Sequence, residues 1–276
     1  MRLFNKVAIV GTGLIGGSIA LAIKKQGLAS EVIGVCRHKN SLLLAKRKGA
    51  IDRGSLSLGI IKEADLLILA TPVNTIINLA PRISQIVRKD CIVSDVGSTK
   101  EEIVACLEKE FPNYVGSHPL AGSEKRGIIN AHPDLFKDSL CILTPARNKN
   151  NKALNKLNLL WQRLGAKTVL LSPRAHDKIL SFVSHLPHIA AFSLIGIIPS
   201  QYLRFASTGL KDTTRIAASE TELWADILLS NKKNIIKTMG LLESNMSRVK
   251  SALQKKDRKR LAQIIKKAKV KRENLG

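Results

Sequence analysis

The stretch that most restricts this chain is VAIVGTGLIGG, residues 7–17. Val7 to Val10 read as a short buried strand, and SIALAIKKQG reads as a helix ending at Gly27. Between them, Gly11-Thr12-Gly13-Leu14-Ile15-Gly16 fits the pattern G-x-G-x-x-G. The pattern alone is weak, but a strand before it and a helix after it give it physical meaning. Gly11 permits a tight turn, Gly13 lets a pyrophosphate approach the backbone, and Gly16 lets the helix pack closely on the strand. The helix then presents free N–H groups and the positive end of its dipole to the phosphates. The bland alternative is a tight strand–helix turn with no ligand. The next strand, EVIGVC, ends at Cys36 and is followed by Arg37, His38 and Lys39. NAD-binding chains usually carry Asp or Glu there for the ribose 2′-hydroxyl. No carboxylate at this place repels a 2′-phosphate, and Arg37 is suited to clamp one, so the sequence favours NADP over NAD.

The alternation continues. Residues 41–50 read as a helix, ADLLILAT as a strand running to Thr71-Pro72, 74–87 as a helix, and CIVSDVGS as a strand and turn. YVGSHPLAG reads as a further strand leaving the sheet edge, and LCILTPA and AKTVLLSP add later strands. Strands alternating with helices mean βαβ units and a parallel sheet. Residues 1–172 are therefore expected to form an α/β, Rossmann-like dinucleotide-binding domain with a parallel-rich sheet. Beyond Pro173 the period is helical throughout, so 173–276 is expected to be an all-helical domain.

Hydrophobic residues make up 45% of the 276, enough for a real core, while aromatics are only 4%, so that core must be aliphatic. Four scattered cysteines without a CxxC fit buried free thiols in a reducing cytoplasm better than disulfides or zinc. The basic, then apolar, N-terminus resembles a signal peptide but lacks a convincing cleavage site, and its glycines have the better use given above. No apolar run approaches the ~20 residues a membrane helix needs; the best, Ile189 to Ile198, ends at Pro199. A net charge of +24 admits nucleic acid, an anionic membrane or an anionic substrate as partners. Its densest part, residues 255–273, reads as a solvated last helix.

The stretch VGSHPLAGSEKRG, residues 115–127, taken alone is a polar surface turn. Its place in the sheet changes that reading. Thr71-Pro72, Ser98 and His118 each follow or end a strand, at the edge that lines a cofactor crevice in such folds. A backbone turn, a hydroxyl and an imidazole are thus expected in one place.

Taken in order, GTGLIGGS, ATPV, DVGSTK, GSHPLAGSE, SHLPH, GLKDTTR and the later Trp224 resemble the prephenate/arogenate dehydrogenase family of tyrosine biosynthesis. The resemblance reaches to about residue 226 and implies a Rossmann domain followed by a helical dimerisation domain, hence a homodimer. It implies oxidation of prephenate or arogenate by NAD(P)⁺ with loss of CO₂. By motif, His118 resembles the histidine that polarises the ring hydroxyl, and Ser98 the serine that hydrogen-bonds that hydroxyl and the histidine. His188 resembles a residue near the substrate side chain, with His185 behind it, and Pro187 should kink their helix. Arg215 resembles the arginine that grips the ring carboxylate. Lys211 is expected one helical turn before it, Trp224 as a pocket wall, and Glu124 as a partner of Arg215 that gates entry. The partner expected is a small anionic substrate, with no metal, nucleic acid or membrane. The chain departs from the family at Thr208 and Thr213, where many members have Gly and Phe, and no regulatory domain is expected after the basic helix. Two other readings compete. One is a β-hydroxyacid-type dehydrogenase, which would want a catalytic lysine in the helical region. The other is a dinucleotide-binding module without catalysis.

Overall fold

The computed structural model of the chain describes residues 2–122, 127–146 and 150–275. Strands β1 (Phe4–Val10), β2 (Ala29–Val35), β3 (Arg53–Ser55), β4 (Leu66–Leu69) and β5 (Ile92–Asp95) form one parallel sheet in the order β3-β2-β1-β4-β5. Helices α1 (Leu14–Lys25), α2 (Lys39–Arg47) and α3 (Val73–Ser84), with a 3₁₀ turn at Leu58–Glu63, supply the crossovers, and α4 (Glu101–Glu110) follows β5. The central strands are apolar on both faces because both faces are covered. Side chains alternate, so Val7 and Ile9 join a cluster with Ile19 and Ile23 of α1. Ala8 and Val10 join the opposite cluster, with Ile76 of α3 and Ile103 of α4. The order reverses between β1 and β4, and a crevice is expected at that point.

Residues 115–119 are a strand, as the sequence suggests, but β6 (Val115–Pro119) does not extend the parallel sheet. It pairs antiparallel with β7 (Leu140–Pro145), which pairs parallel with β8 (Lys167–Leu170), giving a second, three-stranded sheet. A single parallel bridge, Val93 to Tyr114, joins β5 to the chain entering β6. Past that bridge β6 finds its partner in β7. Helix α5 (Asn151–Arg163), capped by the Asn150 side chain, covers this sheet with buried Trp161, whose indole N–H donates to Ser117 Oγ at 3.0 Å.

Among the described residues no strand follows β8. Ser172 caps α6 (Pro173–Leu180), accepting from the Ala175 N–H, and Pro173 opens the helix where a missing N–H costs nothing. A π-turn at Ser181–His185 joins α6 to α7 (Leu186–Gly196). The Leu186 N–H reaches back five residues to Ser181 O, so the helical backbone widens just before Pro187. Then come α8 (Thr208–Thr214), α9 (Thr221–Ser230), α10 (Lys232–Gln254) and α11 (Arg258–Glu273).

The continuous helical stretch Pro173–Gly196 is, by length and composition alone, long and apolar enough to cross a membrane. The expectation that nothing approaches that length is thereby amended. One side of this stretch buries His176, Asp177, Ser181 and His185. Asp177 and His185 are hydrogen-bonded to other elements of the fold, so that side is a packed junction within the protein.

Candidate active site

Two adjoining cavities open at the carboxyl ends of β4, β5 and β6. One, of about 390 Å³, is bounded by Gly13, Leu14, Ile15, Thr71, Pro72 and Gly97. The other, of about 480 Å³, is bounded by His185, His188, Arg215 and Ile216. Ser98, His118, Pro119 and Trp224 line both. Of the three strand ends singled out in the sequence, two, at Ser98 and His118, are therefore part of the shared wall, and Thr71-Pro72 borders the first cavity only.

The first cavity has the features of a dinucleotide cradle. Gly11 has φ +96°, and a Cβ there would lie 2.4 Å from Ala70 O, so no other residue fits the turn. A Cβ on Gly16 would lie 2.0 Å from Gly11 O. A Cβ on Gly13, by contrast, would meet nothing within 4 Å and would only occupy the space above the turn. Helix α1 starts there with no side-chain cap and no acidic residue in its first turn, leaving its end open to an anion. The Thr71 hydroxyl is buried with no hydrogen-bond partner, in a residue that lines this cavity. Thr12 lies under the turn, its hydroxyl 2.8 Å from Cys36 Sγ. Arg37 is exposed beyond β2 and lies outside the cavity lining. These residues fit a dinucleotide.

In the second cavity His188 stacks on Trp224, with ring centroids 3.5 Å apart and planes 22° apart, and donates from Nδ1 to Ser184 O at 3.0 Å. His185 is buried beneath, its Nδ1 accepting from Asn231 Nδ2 at 3.0 Å. Burial lowers its pKa to about 4, so it is neutral at physiological pH. Burial also lowers the pKa of His188, and the Arg215 charge adds to this.

His118 does not bond Ser98. Its Nδ1 lies 2.8 Å from Nε2 of His176, whose own Nδ1 lies 2.7 Å from the Asp177 carboxylate. Ser98 stands on the same wall with no bond to the ring. Burial holds His118 well below its usual pKa, helped by His176, Lys100 and His185. Under this group Lys100, fully buried, is paired with Asp95, which also accepts from the Tyr114 hydroxyl at 2.7 Å.

Two further expectations are corrected. Lys211 and Arg215 do not share a helix: α8 stops at Thr214 and Arg215 opens a 3₁₀ turn. Only Arg215 lines the cavity, and Lys211 is exposed outside it. Glu124 lies outside the described residues. His176, Asp177 and Asn231 carried no assignment from the sequence. A signal was present: Asp177, Ser181 and His185 recur every four residues, a polar stripe on a helix that is otherwise largely apolar.

The chain matches the family model for the prephenate dehydrogenase nucleotide-binding domain over residues 19–170. It matches that for the prephenate dehydrogenase dimerization domain over 172–267. The chain belongs to the prephenate dehydrogenase family. The family member from Bacillus subtilis, named prephenate dehydrogenase, is 35% identical to it over 98% of this chain and 76% of its own length. The cyclohexadienyl dehydrogenase of Zymomonas mobilis is 32% identical over 93% of this chain and 91% of its own. The solved prephenate dehydrogenase from A. aeolicus, in complex with hydroxyphenyl propionate and NAD⁺, superposes with a TM-score of 0.93 at 32% identity, covering 99% of this chain and 98% of that one. A 3-hydroxyisobutyrate dehydrogenase from Salmonella typhimurium, at 13% identity and TM-score 0.58, shares the fold alone. As a family member the chain is an NAD(P)-dependent dehydrogenase built as a Rossmann-like domain followed by a helical one.

Proposed function

We propose that this family member oxidatively decarboxylates prephenate or arogenate, with hydride transfer to NAD(P)⁺, giving 4-hydroxyphenylpyruvate or tyrosine. The observation that carries the reading is the shared wall, where Ser98 and His118 face the dinucleotide cradle and the histidine-lined cavity together. The names of the Bacillus, Zymomonas and A. aeolicus relatives support it.

Gly11 to Gly16, Thr71 and Pro72 would hold the dinucleotide, which when bound supplies the hydride acceptor. His118, kept neutral by burial, accepts the ring-hydroxyl proton as hydride leaves the same carbon. Ser98 donates to that hydroxyl oxygen. Arg215 binds the ring carboxylate, for which its planar fork is suited, until that group leaves as CO₂ and the ring becomes aromatic. His188 and Trp224 hold the substrate side chain. The missing carboxylate at Cys36 and the exposed Arg37 favour NADP over NAD.

The helical half leaves Ile197, Phe205 and Ile236 at 78%, 71% and 67% exposure, and its family model is a dimerization domain. We assign this apolar surface to a second copy of the chain and the homodimer to the cytoplasm, where the four free cysteines stay reduced. The test is to offer purified protein prephenate and arogenate, each with NAD⁺ and NADP⁺, and to follow absorbance of the reduced cofactor. Signal in at least one pair is expected, and silence in all four from folded protein that binds dinucleotide sinks the reading.

A further inference from the structure

The histidine–histidine–carboxylate chain behind His118 goes beyond supplying one base. An ionised carboxylate only accepts, so at 2.7 Å from Asp177 Oδ1 it is His176 Nδ1 that carries a hydrogen. A neutral His176 then has a bare Nε2, and His118 must donate to it from Nδ1 across 2.8 Å. That leaves the lone pair of His118 on Nε2, the atom that remains for the cavity. The direction of every bond in the chain is fixed by its far end.

Asp177 is itself held fast. Its Oδ1 accepts the Lys100 N–H at 2.8 Å and its Oδ2 the Glu101 N–H at 2.9 Å, so a side chain from α6 caps the start of α4. Asn231 donates to the Asp177 carbonyl at 2.8 Å. His176 and Asp177 are sealed from water, at 0% and 1% exposure. The ionisable groups facing this chain are Lys100 and Asp95 from below, His185 from the π-turn and Cys141 from β7. Lys100 and His185 disfavour a proton on His118, and His176 alone of the two rings touches a carboxylate.

We propose that His176 and Asp177 form a proton store behind His118, so that the proton taken from substrate comes to rest on His176. The step balances. The substrate O–H breaks as His118 Nε2–H forms, and His118 Nδ1–H breaks as His176 Nε2–H forms. His118 ends neutral with its tautomer exchanged, and His176 ends as an imidazolium beside the Asp177 anion. His176 never touches substrate and is a positioning residue that also holds charge. The opposing pKa influences agree: burial lowers both rings, but Asp177 pulls His176 back up while nothing comparable supports His118. The inference rests on reading His118 as the base.

The test uses the full chain in two ways. First, ring-¹⁵N NMR of the substrate-free protein during acid titration assigns which ring gains a proton first. The store requires His176 to protonate before His118, and protonation of His118 first would overturn it. Second, kcat and KM are measured against pH for wild type, His176→Leu and His176→Gln. Glutamine can accept from His118 Nδ1–H but cannot take the proton. Both variants should lose about 10²- to 10⁴-fold in kcat with KM changed less than about threefold, and the acid limb of kcat/KM should move to lower pH. Wild-type kcat in either variant, or loss without movement of the limb, would overturn the store. An inactive wild type would sink the proposed reaction instead, and the ring titration would still decide the store.

Discussion

The two halves of the molecule are held together by different means. In the nucleotide half, two aliphatic clusters flank the parallel sheet, and Val7, Ala8, Ile9, Leu66 and Leu67 are all completely buried. In the helical half the buried apolar residues are Leu180, Ala191, Ile227, Ile235 and Ala252, while His176, Asp177, Ser181, His185, Asn231 and Thr238 are buried polar ones. A half with so few buried apolar side chains does not gain enough from their burial alone to order its chain. It is fastened to the nucleotide half by hydrogen bonds at the seam, and it leaves Ile197, Phe205 and Ile236 exposed, the surface we assign to a second copy. The residues proposed for catalysis lie on the seam, where fixed polar geometry is concentrated.

The largest expected effect comes from cutting the seam at its reactive end. His118→Asn should lower kcat by about 10³-fold or more while leaving KM for the carboxylate substrate nearly unchanged, as steady-state kinetics will show. Unimpaired turnover would remove His118 from the mechanism. Arg215→Gln works on the helical side of the same cavity. Losing a charge-assisted bond worth about 1.5–3 kcal/mol should raise KM about 10- to 100-fold, with a smaller change in kcat. If kcat falls and KM does not, the arginine acts on the transition state rather than on binding.

Most of the nucleotide half was legible in the sequence because its rules are local. A strand, three glycines and a helix specify a turn through steric contacts within a few residues, and period-two and period-3.6 patterns mark the rest. The break between the sheets was missed because strand partnership is not a local property: β6 reads as a strand with either β5 or β7 beside it. Ser98, His118, His188 and Arg215 could be named because each sits in a distinctive motif, and all four line the second cavity. The partner of His118 was not found, since His176 lies 58 residues away on another element and only the packing of α6 brings it near. Lys211 was misplaced because helical spacing does not reveal that α8 ends at Thr214.

Acid should separate the two halves more sharply than any single substitution. A histidine held neutral in the fold but free to protonate when unfolded makes the unfolded chain the greater proton binder. For His185, lowered to about 4 from an ordinary 6.5, stability is full above that ordinary value and falls as pH drops through the window between them. Below the window the loss is complete and levels off. The slope is at most about 1.4 kcal/mol per pH unit for one histidine, and His176 and His118, also lowered, steepen it. Calorimetry across this range should show a falling Tm in wild type and a shallower fall in His185→Gln. Equal slopes would place the neutral histidine elsewhere.

The exposed aliphatic face gives a milder test. Ile197→Asp puts a charge where a partner copy is expected and where an isolated chain has only water, at 78% exposure. Light scattering should show the dimer dissociating at protein concentrations where the wild type stays paired. If the mass is unchanged, that residue is not in the interface and the helical half must be completed through another part of its surface.

The smallest effect belongs to the rim of the nucleotide half, where fixed geometry gives way to solvent. Arg37 is exposed and outside the cavity lining, so any contact with a 2′-phosphate is made in water, where an ion pair contributes about 0.2–1 kcal/mol. Arg37→Ala should therefore raise KM for NADP⁺ by about fivefold at most and leave KM for NAD⁺ unchanged. The difference should shrink in added salt, since screening acts on the phosphate and not on the ribose hydroxyl. An equal change for both cofactors would mean that Arg37 steers anions in general. In that case Cys36, which neither repels nor attracts a phosphate, leaves the choice between the two dinucleotides unmade at this strand end.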